Sequence, residues 1–270
     1  MLTRHQTMTG PRWAMDGVFL APSFTLGLLL ELPRAAYGDA LAAMLTGEEA
    51  TGDLLPPVEP WQEVWASGVT YLRSRDARQA ESETGDIYAR VYTAERPELF
   101  MKAIGWRVMG PEDPIRVRPD STWDVPEPEL TLVINARREI VGYVAGNDVS
   151  SRSIEGANPL YLPQAKVYAG SCALGPGIML SSPDKMRDLP ITLEIQRQSE
   201  QAFYGETATS RMKRTLEELV AYLFKELPFP NGVFLMTGTG IVPPDDFTLS
   251  AGDVVRIGVG ELTLLNEVQA

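Results

Sequence analysis

The chain has 270 residues, 44% hydrophobic and 22% charged, with 23 Gly and 21 Pro, a globular composition that excludes the disordered, collagen-like and disulfide-scaffold classes. Its 36 acidic residues against 24 basic ones give a net charge of −12, which repels polyanions and argues against a nucleic-acid partner. One cysteine, Cys172, excludes an internal disulfide, and the sequence offers no Cys/His cluster with zinc-ligand spacing.

In chain order, the apolar stretch Val18–Leu32 contains Pro22 and Glu31 and is too short and interrupted to span a bilayer. The N-terminus lacks the apolar region and small-residue cleavage site of a signal peptide, so the expectation is a soluble, cytoplasmic protein. A shift of composition near residue 70 divides the chain into a small N-terminal domain, 1–70, and a larger domain, 71–270. Arg34–Leu45 has helical spacing, with Ala36, Leu41, Ala42 and Leu45 on one face. The prolines of Leu54–Pro60 read as a linker, and Arg73–Ala94 as a polar helix.

From Glu98 onward, short β-rich runs are bounded by Gly and Pro. Glu129–Asn135, Glu139–Ala145, Ile191–Arg197, Val233–Thr237, Val254–Val259 and Leu262–Leu265 are predicted strands. Between them, Arg214–Leu227 puts Leu216, Leu219, Val220, Leu223 and Phe224 on a helical stripe, which reads as core packing. Strands without regular helical crossovers predict an α+β fold on a mixed or antiparallel sheet. No Gly-rich phosphate loop of standard spacing is present.

Several residues have the chemistry of a site. Glu127 and Glu129 lie two apart at the entrance of a strand, so they project the same way and can converge on a cation, although the spacing also fits a solvated acidic face. Asp148 follows an apolar strand, where it reads either as a site residue or as a turn cap. Lys166, one of five lysines, stands in an otherwise small and apolar segment and needs a carboxylate partner or a lowered pKa. Ser150 and Arg152 suit a bound carboxylate, and Arg152 equally suits a structural clamp. Ser171-Cys172 has no histidine nearby to activate a nucleophile, and His5, the single histidine, reads as a frayed terminal residue.

Glu127-Pro128-Glu129, Gly146-Asn147-Asp148-Val149-Ser150-Ser151-Arg152, Gln164-Ala165-Lys166, Leu174-Gly175-Pro176 and Thr237-Gly238-Thr239-Gly240 together resemble the fumarylacetoacetate hydrolase superfamily. Within it, Arg96–Ala103 and Ile154–Gln164 are most similar to the 2-keto-3-deoxy-sugar-acid dehydratases of the 2-dehydro-3-deoxy-arabinonate type. The resemblance implies a mixed β-roll catalytic domain with a small N-terminal domain, assembled as a homodimer or homotetramer. It implies Mg²⁺, or Mn²⁺, on Glu127, Glu129 and Asp148, an oxygen-only set that suits either ion. It further implies Glu98 as general base, Lys166 as a catalytic residue, and substrate contacts from Lys102, Ser150, Arg152, Gln164 and Thr239.

The activity so implied is dehydration of a 2-keto-3-deoxy sugar acid, a pentonate giving 2,5-dioxopentanoate through an enolate. A C–C hydrolase of an acylpyruvate-like diketo acid and a non-catalytic metal-binding scaffold are the alternatives. The hydrolases of the superfamily activate water with a histidine, which counts against the first of these. Ser153 stands where the superfamily often has Asp.

Overall fold

The computed structural model describes residues 1–72 and 86–269. Its larger sheet runs, in spatial order, through Leu45–Glu49, Val18–Leu20, Gly10–Met15, Leu2–Thr7, Cys172–Leu180, Ile140–Asp148, Pro128–Ile134, Val233–Met236, Glu63–Gly68 and Glu98–Ile104, with Leu54–Leu55 beside Leu2–Thr7. A second sheet orders Glu200–Ala208, Pro190–Arg197, Val254–Val259, Leu262–Gln269 and Ile115–Arg116. Among the strands of the described residues two pairings are parallel, Val233–Met236 with Glu63–Gly68 and Leu262–Gln269 with Ile115–Arg116. The fold is α+β on mixed sheets, as expected.

Burial explains which strands are central. Pro128–Ile134 and Ile140–Asp148 are buried along their whole length, so both faces pack against protein. Leu130, Leu132 and Ile134 point into a core shared with Leu193, Ile257 and Leu264 of the second sheet and with Leu219 and Leu223 of the helix Leu216–Leu223. Val133 belongs to the opposite core, with Phe234, Val144, Trp13 and Leu29. Since side chains alternate along a strand, Glu129 and Thr131 share the face of Val133 and look toward the layer that carries the N-terminal segments.

Several sequence expectations change. Leu54–Pro60 is not a free linker: Leu54–Leu55 pairs with Leu2–Thr7, and Val58 and Glu59 are buried. The Glu59 carboxylate accepts from the backbone N–H of Leu26 (2.7 Å) and Gly27 (3.0 Å), holding the start of the helix Leu26–Glu31. The helix at 34–45 is a 3₁₀ turn followed by Tyr37–Met44, and its buried face is Tyr37 and Leu41, with Ala42 and Leu45 exposed. The larger Tyr37 side chain turns that face toward the core in preference to the small alanines. The helix at 214–227 is shorter, Leu216–Leu223: the Thr215 hydroxyl caps its start by accepting from Glu218 N–H at 3.1 Å, and Phe224 is its C-cap. Of Arg73–Ala94, the described part Asp86–Thr93 is helical; the rest lies outside the described residues. His5 is no frayed terminus, since it sits in a strand with ring nitrogens against Thr3 Oγ1 (2.8 Å) and Gly52 O (3.2 Å).

Candidate active site

Glu129 is the second residue of its strand and pairs with Gly146, while Glu127 precedes the strand and its carbonyl accepts from Asp148 N–H at 3.0 Å. This antiparallel ladder places Asp148, the last residue of the neighbouring strand, beside the two glutamates. One oxygen from each of the three carboxylates lies within 4.8 Å of the others, and all three residues are buried. Exposed acidic clusters need no explanation, but buried like charges repel strongly and need a counter-charge.

Part of that charge is supplied by the chain. The Lys166 ammonium donates to Glu127 Oε2 at 2.8 Å, to Asp148 Oδ2 at 3.0 Å and to the Ser150 hydroxyl. It also lies 5.8 Å from the centroid of the Phe100 ring. Lys102 is fully buried on the other side of Asp148, donating to Val149 O at 3.0 Å and to Lys166 O, with an ion pair to Asp148 Oδ1. Arg152 Nη2 pairs with Glu127 Oε1 at 2.9 Å. Glu129 receives the Gly238 N–H at 2.6 Å. Burial first, then the Asp148 and Glu127 charges, push its carboxyl well above the usual range.

Glu127, Asp148 and Lys166 line a small cavity with Glu98, Phe100, Glu155, Leu162, Thr239 and Gly238 and the bend Ser67-Gly68-Val69. Glu98 opens the strand Glu98–Ile104 and pairs across the ladder with Gly68. A Cβ on Gly68 would lie 2.0 Å from Glu98 Oε2, so the glycine is what lets this carboxylate reach its position. Gly238 has φ +90°, and a Cβ there would meet Thr70 Oγ1 at 2.1 Å. Val69, a β-branched residue, holds φ 55°, a left-handed conformation costing on the order of 1–3 kcal/mol in the wall of the cavity.

The structure thus brings Glu98, Glu127, Asp148, Lys166 and Thr239 to one cavity, with Glu129 against Glu127 and Asp148. Ser150 is buried beside Lys166 and donates to Asp148 O at 3.0 Å, and the Thr239 hydroxyl exchanges bonds with the Ile241 backbone at 3.2 Å. Lys102 and Arg152 are buried behind the carboxylates, and neither they nor Gln164, which is exposed, are among the residues lining the cavity. The Ser153 hydroxyl contacts Ser121 Oγ at 3.0 Å and accepts from Thr122 N–H at 3.1 Å. Phe100, Glu155 and Ser67–Val69 were not singled out as site residues in the sequence, and His5 is outside the cavity lining. Cys172 is buried and its thiol is pushed up to about 12 by that burial, a poor nucleophile.

The profile of the fumarylacetoacetate (FAA) hydrolase C-terminal domain matches residues 63–269, which contain every residue of this cavity. The chain belongs to the fumarylacetoacetate hydrolase family. Among members of this family, a protein of Haloferax volcanii described as a probable 2-keto-3-deoxyxylonate dehydratase is 46% identical over 83% of this chain and 81% of its own length. The 2-dehydro-3-deoxy-D-arabinonate dehydratase of Saccharolobus solfataricus is 43% identical, over 79% of this chain and 73% of its own. A solved structure described as 2-keto-3-deoxy-D-arabinonate dehydratase complexed with magnesium and 2,5-dioxopentanoate superposes with a TM-score of 0.84 at 35% identity, covering 99% of this chain and 98% of that one.

Proposed function

We propose that this protein is a Mg²⁺-dependent hydro-lyase that dehydrates a 2-keto-3-deoxy sugar acid, a pentonate giving 2,5-dioxopentanoate. The observation that carries the reading is the buried triad Glu127, Glu129 and Asp148, of which Glu127 and Asp148 line one pocket with Lys166 and Glu98, in a chain whose relatives at 43–46% identity are named dehydratases of such acids. The residues fit the metal: all donors are oxygens, and Glu129, crowded by two like charges, gains from a cation. Glu127, Glu129 and Asp148 would hold it, and Mn²⁺ suits the same oxygens. When bound, Mg²⁺ supplies Lewis-acid polarisation of the 2-oxo and carboxylate groups, which acidifies the C3 protons.

The chain's residues do the rest. Glu98 removes a proton from C3, and Lys166 stabilises the negative charge that moves onto the 2-oxo group while keeping Glu127 and Asp148 in place. Loss of the C4 hydroxyl leaves a C3=C4 double bond. A proton shift from C5 to C3 then gives an enol that tautomerises to the C5 aldehyde. Thr239 contributes its hydroxyl at the pocket, Ser150 acts on the substrate through Lys166, and Arg152 acts on the substrate carboxylate or through Glu127. Lys102 and Gln164 complete the proposed substrate-binding set, Lys102 through its grip on Asp148.

As part of the same reading, the protein works in the cytoplasm as a homodimer or homotetramer without a nucleic-acid partner, in keeping with its net charge of −12. Among the described residues no helix is long and apolar enough to cross a membrane. Residues 1–70 form the N-terminal unit, which lends the strand Glu63–Gly68 to the main sheet, and 71–270 form the catalytic domain. Glu98→Gln keeps the shape of the side chain and removes its basicity. It should leave Mg²⁺ binding nearly intact and abolish both turnover and C3 exchange of a 2-oxo acid in heavy water. Exchange at the native rate in that variant would move the base to another group.

A further inference from the structure

Resting on the dehydratase reading, elimination requires a second proton transfer that none of the assigned residues performs. Hydroxide is a poor leaving group, so the C4 oxygen must receive a proton as its bond to carbon breaks. We infer that Glu155 is the general acid that delivers it.

Glu155 is 2% exposed and lies on the short helix Arg152–Ala157, which Ser151 begins by accepting from Ile154 N–H at 3.4 Å. It lines the small cavity together with Glu98, Glu127, Asp148 and Lys166. It also borders, again with Glu98, an adjoining cavity of about 280 Å³ walled by Ile87, Val91, Pro159 and Leu162. Glu98 and Glu155 therefore share two cavities, and among the described residues they are the carboxyl groups of the small cavity that stand outside the metal-holding set.

Among the described residues lining the cavity, Lys166 and Thr239 also carry protons at rest, and each holds contacts that a transfer would break. Lys166 directs its three N–H bonds to Glu127, Asp148 and Ser150, and giving up one would unseat a carboxylate of the triad. The Thr239 hydroxyl is bonded to the Ile241 backbone. Two carboxyl groups facing one substrate, one taking a proton and the other giving it, are an economical solution for an elimination.

In the step, Glu98 gains the C3 proton. The electron pair of that C–H bond, held first as the enolate, forms the C3=C4 bond. The C4–O pair leaves on oxygen, which takes the Glu155 proton and departs as water. Glu98 ends protonated and Glu155 ionised, and passage of one proton from the first to the second restores both.

The test uses the Mg²⁺-loaded native protein with Glu155→Gln and Glu155→Asp on two substrates, the 2-keto-3-deoxypentonate and its 4-deoxy-4-fluoro analogue, whose fluoride departs without a proton. Glu155→Gln should lower dehydration at least about 100-fold. It should keep fluoride release, and C3 exchange of a 2-oxo acid lacking the C4 hydroxyl, within about threefold of native. Glu155→Asp should recover part of the dehydration and serves in place of Glu155→Gln if the latter does not fold. Equal slowing of both substrates, loss of exchange along with dehydration, or undiminished dehydration would each overturn the assignment. A native protein that dehydrates nothing sinks the dehydratase reading itself, whereas native dehydration with an unimpaired Glu155→Gln sinks the role of Glu155 alone.

Discussion

Gly68 faces the Glu98 carboxylate so closely that a single methyl group would displace it. Gly68→Ala should therefore leave the sheet folded, because the clash is with a movable side chain, yet lower kcat by about 100-fold as the base leaves its position. Steady-state kinetics beside a thermal melt checks this, and an unchanged kcat would mean that Glu98 is not the base. Glu129 gives a different handle. Its carboxyl is held well above the usual range by burial and by Asp148 and Glu127. Over the window between its unfolded and folded values the metal-free protein carries a proton that the unfolded chain has lost, so stability falls as pH rises through that window. Metal binding needs the ionised carboxylate, so Mg²⁺ should bind more tightly as pH rises there and release a proton. Calorimetry in buffers of different ionisation enthalpy measures that proton, and its absence would remove Glu129 from the ligand set. Alternation along a strand showed that the two glutamates could share a face, but the same spacing fitted a solvated acidic face, and their burial comes from the fold. The contribution of Gly68 was not legible in the sequence, since it depends on a pairing between strands thirty residues apart in sequence (Gly68↔Glu98).

At the scale of elements, the site hangs on the end of the ladder between Pro128–Ile134 and Ile140–Asp148, and on Glu63–Gly68 with Glu98–Ile104 two strands away. Both central strands were visible as apolar runs. The length of the second was not, because Gly146, Asn147 and Asp148 carry no apolar signal yet extend the ladder to the candidate metal-binding end. Leu54–Pro60 shows the reverse error: proline-rich sequence reads as linker, but Arg4 donates to Val58 O at 2.9 Å and Glu59 caps a helix 32 residues earlier. Local composition carries no information on such long-range partners. Glu59→Ala should cost about 1.5–3 kcal/mol, since it leaves two buried N–H groups unpaired. Urea denaturation should show this loss with kcat nearly unchanged; a loss of activity without loss of stability would contradict a purely structural capping role.

Across the whole molecule, the N-terminal strands extend the sheet that holds the site, with Leu2–Thr7 bonded to Cys172–Leu180, so the layer behind the carboxylates is built from the N-terminal segments and from strands far along the chain. The mixed α+β architecture followed from the pattern of short strands. The candidate site was read from linked motifs whose order no single element would reveal, whereas the place of Glu155 in the cavity, within one of those motifs, is visible only in the fold. Mass spectrometry of the products formed from a 2-keto-3-deoxypentonate by the purified protein with Mg²⁺ decides whether this pocket removes water without cleaving carbon from carbon. A single five-carbon product lighter by one water, 2,5-dioxopentanoate, should form and should disappear on chelation of the metal. Recovery of unchanged acid, or of fragments from a broken C–C bond, would contradict the proposed dehydration.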